Sequence, residues 1–306
     1  MRIKMLVYVV WAFVLALGVQ SCHQPDVLPE AVRYPILFGS SDSRAVATID
    51  SLRTEGFRVH AYFKGEGAAT FDHDVNYQKV NGEDIWALSS PEYWIPGVTY
   101  WFKAFYPKDL ADITIKDGDG ASQSYSINDY DIRNQMDIMV ASADALTVPA
   151  DSDAPTSGSV VDLDFQHLLA NVVVKIKAEI NVTIYDVTLK FVPVKGSYTD
   201  GSWSYATQGN VEMIGLNKTL NSSNKEFQDV TNGGFLVFPN SIGDAKLYIR
   251  TSNKDYDIKL PATPSEWVAG TKYTYTLTIK QNDILFDEPT VEEWDEENAV
   301  GSVIIK

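Results

Sequence analysis

The chain has 306 residues, 41 acidic against 25 basic, and a net charge of −16. That balance excludes nucleic-acid binding, which needs basic groups to neutralise phosphates. The 45% of apolar residues is enough for packed cores and excludes a disordered stalk.

The chain opens MRIKMLVYVVWAFVLALGVQSC. Arg2 and Lys4 are its only charges, and Leu6 to Val19 is apolar apart from Gly18 and the Tyr8 hydroxyl. The run falls short of the ~20 residues of a membrane span. A basic start, a short apolar centre and small residues at its end predict a secretory signal over residues 1–21. Cys22 is the single cysteine, so no internal disulfide can form. Val19-Gln20-Ser21-Cys22 resembles the lipobox of bacterial lipoproteins, with Gln20 departing from its usual small residue. The resemblance implies a lipid on Cys22, a mature chain starting there and a place in the outer membrane. The other reading is an ordinary signal peptide with a chance cysteine at its end. Residues 22–33 are short, polar and contain proline, as a tether would.

Beyond the tether the main signal is period-two alternation, the pattern of strands with one buried face. RYPILF begins with a short apolar strand, Tyr34 to Phe38, and TIDSLRTEGF is a short helix with Gly56 as its stop. In RVHAYF, Val59, Ala61 and Phe63 alternate with Arg58, His60 and Tyr62. In TYWFKAFYP, Tyr100, Phe102, Ala104 and Tyr106 share a face, with Trp101 and Phe105 opposite. Thr147 to Ser159, with Pro149, Pro155 and Gly158, is the most loop-like interior stretch and the expected boundary. Val161, Leu163 and Phe165 alternate next; Phe165, Val172, Val174 and Ile176 are expected in the second core. Val187, Leu189 and Phe191 form another buried set, and KLYIRTSNKDYDIKL predicts a hairpin turning at Ser252 to Asp255. KYTYTLTIK puts Tyr273, Tyr275, Leu277 and Ile279 on one side. Many short strands with polar turns predict an all-β protein of antiparallel sandwiches. At ~150 residues per domain the length suits two: 34–155 and 156–306.

Little chemistry is on offer. The histidines, His23, His60, His73 and His167, show no metal-ligand spacing. Asp72-His73-Asp74 reads as a solvated loop, not an acid–base or metal site. Asp117 and Asp119 resemble a calcium loop only until its sixth and twelfth positions, which are Ser122 and Asn128; a tight glycine-rich turn is expected instead. No nucleophile elbow, P-loop or dinucleotide fingerprint occurs. We expect no catalytic residue, no metal and no cofactor. The aromatics from Trp86 to Tyr106 allow a sugar-stacking platform, and with it a glycan-binding surface lipoprotein, but the inside of a sandwich is the commoner place for such rings and the preferred reading.

YPILFGSSDSRA, GFRVHAYF, YWIPGVTYWFKAFYP, DIMVASAD, VDLDFQHLLANVVVKI, AGTKYTYTLTI and VEEW occur in this order. Together with the lipobox, the set resembles the fimbrillin-like (Mfa-like) lipoproteins of the Bacteroidetes, subunits of type V pili. The resemblance implies two tandem transthyretin-like antiparallel β-sandwich domains and a fimbrial subunit or adhesin at the outer membrane, not an enzyme. Its expected partners are other pilin subunits, the membrane through Cys22, and a receptor on host or bacterial surfaces. It further implies a trypsin-like cut after a basic residue, here Arg44. That cut would displace the first strand, Tyr34, Ile36, Leu37 and Phe38, and open a groove for a strand of the next subunit. Val303, Ile304 and Ile305, apolar residues at the chain end after an acidic stretch, are the candidate donor. They read equally as an ordinary last strand.

Overall fold

The computed structural model describes residues 33–39, 46–80, 83–156, 158, 160–199 and 201–294. In chain order the elements are β1 (Leu37–Gly39), α1 (Val46–Glu55), β2 (Phe57–Lys64), β3 (Ala68–Val80), β4 (Glu83–Leu88), β5 (Thr99–Tyr106), β6 (Ile113–Lys116) and β7 (Ser124–Asp131). A 3-10 turn (Ile132–Asn134) leads to β8 (Met139–Thr147), β9 (Val160–Asp162), β10 (Gln166–His167), β11 (Ala170–Ala178), β12 (Val182–Thr199), β13 (Ser202–Met213) and β14 (Lys218–Leu220). The last are β15 (Gln228–Asp229), β16 (Phe235–Val237), β17 (Lys246–Thr251), β18 (Tyr256–Lys259), β19 (Thr271–Ile279), β20 (Ile284–Phe286) and β21 (Thr290–Glu293). The protein is all-β, with α1 a minor exception.

The first sheet has eight strands in the order β10-β8-β5-β2-β3-β4-β1-β9. Its two end strands are neighbours in sequence, separated only by Leu163, Asp164 and Phe165. Four residue steps span at most roughly 14 Å, so the sheet must curl until its ends approach each other. The curl encloses a core of Ile36, Phe38, Leu52, Phe57, Val59, Ala61, Tyr100 and Phe102, among others. The period-two reading of β2 and β5 holds: Val59, Ala61, Tyr100, Phe102 and Ala104 are buried on the inner face.

The second core lies between two sheets. One is built on β11 and β19, which run parallel from Asn171 opposite Lys272 to Ala178 opposite Ile279. The other is centred on β12, in the order β18-β17-β12-β7-β6 with β13 and β14 also paired to β12. Val172, Val174, Ile176, Tyr273, Tyr275, Leu277 and Ile279 meet Val187, Leu189, Leu247 and Ile249. The hairpin between β17 and β18 turns where expected.

Three sequence expectations need correction. Phe165 sits in the first core, not the second, with its ring 5.0 Å from that of Phe57; the stretch from β9 to β10 is docked along the first sheet, and the chain returns to the second core at Leu168. Phe191 is 56% exposed although it continues the Val187, Leu189 alternation. A register shift between Lys190 and Val192 leaves it bulged, at φ +59°, and one extra residue reverses the facing of the pleat. His73 stands on β3, not in a loop.

Candidate functional site

β1 is the element that the sequence singles out for function, and its neighbours come from distant parts of the chain. On one side it pairs antiparallel with β4, Leu37 opposite Ala87 and Phe38 opposite Trp86. On the other it pairs parallel with β9, Leu37 opposite Val160, Phe38 opposite Val161 and Gly39 opposite Asp162. The ladder continues past both ends. The Ile36 amide donates to the Glu92 carbonyl at 2.9 Å, that of Trp94 to Tyr34 at 3.1 Å, and that of Leu163 to Gly39 at 2.9 Å. Pro35 has no amide to donate and forms only an isolated bridge with Tyr93. Among the described residues β9 has no other strand partner, so its place in the sheet depends on β1.

The side chains alternate in burial. Ile36 and Phe38 are fully buried, Leu37 is half-buried and Tyr34 is exposed. The Phe38 ring meets Phe102 at 5.6 Å and Phe57 at 6.2 Å, both edge to face. Burial of Ile36 and Phe38 stabilises the fold by ~1.5–3 kcal/mol each. Gly39 keeps the strand close to β9, since a Cβ there would lie 3.0 Å from Val160 Cγ1.

The chain after β1 is held independently. Leu52 of α1 is in the first core, and Glu55 accepts a hydrogen bond from the buried Tyr106 hydroxyl at 2.9 Å. Gly56 ends the helix as expected: its amide donates to Leu52, and it adopts φ +75°. A Cβ on Gly56 would approach the Val75 carbonyl oxygen to 2.4 Å, which makes glycine the residue for this cap.

The polar candidates singled out in the sequence have structural partners. His73 lies 3.2 Å from Glu92 Oε1 and stacks on Phe71, while Asp72 pairs with Arg58 and His60. Asp119 accepts from the Ser122 amide and hydroxyl, which close the turn and hold its carboxyl below its ordinary pKa. Among the described residues no group of three or more His, Cys, Asp or Glu could hold a metal ion. Trp86, Trp94, Tyr100, Phe102, Phe105 and Tyr106 are buried and cannot stack on a sugar, whereas Trp101 is half-buried and Tyr93 is exposed. Burial pushes the Tyr100 phenol up to about 12, and its oxygen accepts the Ile95 amide.

At the far end β21 pairs with β19, and Trp294 stacks on His167 with ring centroids 3.9 Å apart. His167 in turn binds Asp137 at 2.7 Å, so Trp294, the last described residue, is held in place. Cys22, Arg44 and Val303, Ile304 and Ile305 lie outside the described residues. No described helix is long and apolar enough to cross a membrane. The sequence reading missed β9 as a wall of the β1 seat. Its only local signal is the Val161, Leu163, Phe165 alternation, which names no partner.

Residues 44–294 match the family model described as fimbrillin-like. Among solved structures the chain is similar to a fimbrial protein from Bacteroides vulgatus, with TM-score 0.61 and 16% identity, covering 86% of this chain and 100% of that one. It is also similar to a protein described as a cell adhesion protein from Bacteroides uniformis, with TM-score 0.57, 18% identity and coverage of 87% and 99%. A third, from Bacteroides ovatus and described in the same terms, gives TM-score 0.51, 15% identity and coverage of 78% and 88%. No curated protein sequence matches.

Proposed function

Because this chain belongs to the fimbrillin-like family, and so has a non-enzymatic role at the cell surface as a fimbrial subunit or adhesin, we propose that it assembles with other pilin subunits by strand exchange. In this reading Cys22 is acylated and holds the precursor at the outer membrane. Cleavage after Arg44 frees the subunit from that anchor and releases the segment that carries β1. A strand from the next subunit then takes the vacated place, and Val303 to Ile305 are the candidate donor.

The observation that carries this reading is the position of β1 between β4 and β9. It is a three-residue strand with ladder partners on both sides, and with Ile36 just before it, Phe38 fills the core. Its loss leaves unpaired backbone groups and apolar surface together, the combination that recruits an incoming strand. A donor with similar apolar content restores most of the lost burial, so the exchange is close to neutral in free energy. The intact strand is then a kinetic block that the cut removes. α1 supports the same reading, because its anchoring through Leu52 and Glu55 keeps the chain after the cut in place.

Limited trypsin treatment is expected to cut at Arg44 and to yield oligomers whose size rises with protein concentration. Arg44→Ala should remain monomeric under the same treatment, and deletion of Gly301 to Lys306 should reduce assembly of the cleaved protein. A cleaved protein that stays monomeric at high concentration, or an Arg44→Ala protein that polymerises equally well, overturns strand exchange. An uncleaved anchor or stand-alone adhesin is then the better reading.

A further inference from the structure

The hairpin of β6 and β7 belongs to one half of the molecule and rests on the other. β7 pairs with β12 in the second core, from Lys195 opposite Asp131 to Thr199 opposite Ser126. Its turn, Asp117 to Gln123, reaches over the outer face of the first sheet. There Gly120, at φ +94°, lies flat on the Trp101 indole, where a Cβ would come within 2.6 Å of the ring. Tyr125 packs edge-on against Phe105 at 5.3 Å. The polar part of the contact centres on His60, whose side chain is only 12% exposed. His60 Nε2 is 2.8 Å from Asp117 Oδ1 on the turn, and Nδ1 is 3.5 Å from Asp72 Oδ2 on β3. Gln123 Nε2 donates to the same Asp117 oxygen at 3.1 Å.

We propose that His60 is a proton-operated clasp that fastens the β6–β7 turn to the first sheet and thereby couples the two cores. The two ring nitrogens face two different carboxylates. Only the imidazolium can donate to both at once; a neutral imidazole keeps one N–H and turns a lone pair toward the other carboxylate. Loss of the proton therefore removes one of the two arms and the ion-pair character of what is left.

Other charged groups stand on the elements around the ring. Arg58, on the same strand, lies 3.0 Å from Asp72 and competes for that carboxylate. Asp74 is the next carboxylate on this face of β3, paired in register with Arg58. Lys103 of β5 stands opposite His60 in register, with its amine bound to the Ser142 hydroxyl at 3.0 Å. Asp119, on the turn, is engaged by Ser122. Burial opposes the charge on His60, but Asp72 and Asp117 outweigh it and raise the pKa above its ordinary 6.5. A raised pKa means that the clasp is fully fastened below the unfolded-state value and loosens as pH rises through the folded-state value. Loosening is therefore expected to set in above pH 6.5, and a separate loss of the clasp is expected in acid, where the carboxylates protonate.

Amide hydrogen exchange of Gly118 to Gln123 in the full chain, followed from pH 5.5 to 8.5 and corrected for intrinsic rates, tests the clasp. For a histidine titrating in that window, protection of the turn should fall at least ~3-fold as pH rises, while amides of β11 hold steady. His60→Gln keeps a hydrogen-bonding side chain but cannot titrate, so its turn protection should not change with pH. Should that variant fail to fold, Asp117→Asn serves: nuclear magnetic resonance should then find a lower His60 pKa than in the unmodified protein. Flat protection in the unmodified protein, an equal pH step in His60→Gln, or a His60 pKa at or below 6.5 overturns the proposal.

Discussion

Phe38 and Phe191 are both aromatic residues on strands with alternating patterns, and they behave in opposite ways. Phe38 is in contact with two other rings inside the first core. Phe38→Ala should lower unfolding stability by ~3–5 kcal/mol, measured by urea denaturation of uncleaved protein. The same comparison after cleavage at Arg44 should show almost no difference, because the residue leaves with its strand. Phe191, in contrast, holds a left-handed backbone conformation and most of its ring faces solvent, with the Lys246 amine 5.7 Å from the ring centroid. A non-glycine residue in that region carries ~1–3 kcal/mol of strain. Phe191→Gly is therefore expected to be neutral or stabilising by up to about 1 kcal/mol in the same assay. A loss comparable to that of Phe38→Ala would place the ring in a contact that its exposure denies.

At the scale of elements, β1 and β9 stand or fall together. β9 is three residues long and its ladder runs along β1. α1, by contrast, is fastened by Leu52 in the core and by the bond from Tyr106 to Glu55. Cleavage at Arg44 without an added donor strand should therefore deprotect the amides of Val160 to Leu163 in hydrogen exchange and leave the second turn of α1 protected. Strand addition should restore protection to the β9 amides. If α1 melts along with β9, the cut destabilises the whole first core and a clean exchange of one strand is ruled out.

Across the whole molecule, the two cores are sewn together by the chain crossing between them more than once. β6 and β7 arise between strands of the first sheet yet pair into the second, whereas Val161, Leu163 and Phe165, which follow the Thr147–Ser159 loop, pack into the first core. Load applied along a fimbria would thus pass through paired strands as well as through the connecting loop. Location is a separate question at this scale, and the lipid proposed at Cys22 gives it a chemical test. Cys22→Ala should move the protein from membrane to soluble fractions of cells. Membrane association that survives the change, with signal processing intact, would show that lipid at Cys22 is not the anchor.

Legible in the sequence alone were the all-β class, the inner faces of β2, β5 and β19, the glycine cap after α1 and the β17–β18 turn. Each follows from side-chain alternation or local turn chemistry, which depend only on neighbouring residues. The resemblance of ordered segments added the family, and the match over residues 44–294 bears it out. Which distant segments meet emerges from the three-dimensional fold alone. Nothing near Leu37 names Val160 as its parallel neighbour, and no period-two pattern says that Phe165 packs beside Phe57 or that Asp117 reaches His60. Pairing is specified by the summed burial and hydrogen bonding of whole sheets rather than by any local signal. The bulge at Phe191 has the same origin: one extra residue absorbed between Lys190 and Val192 turns a core pattern outward.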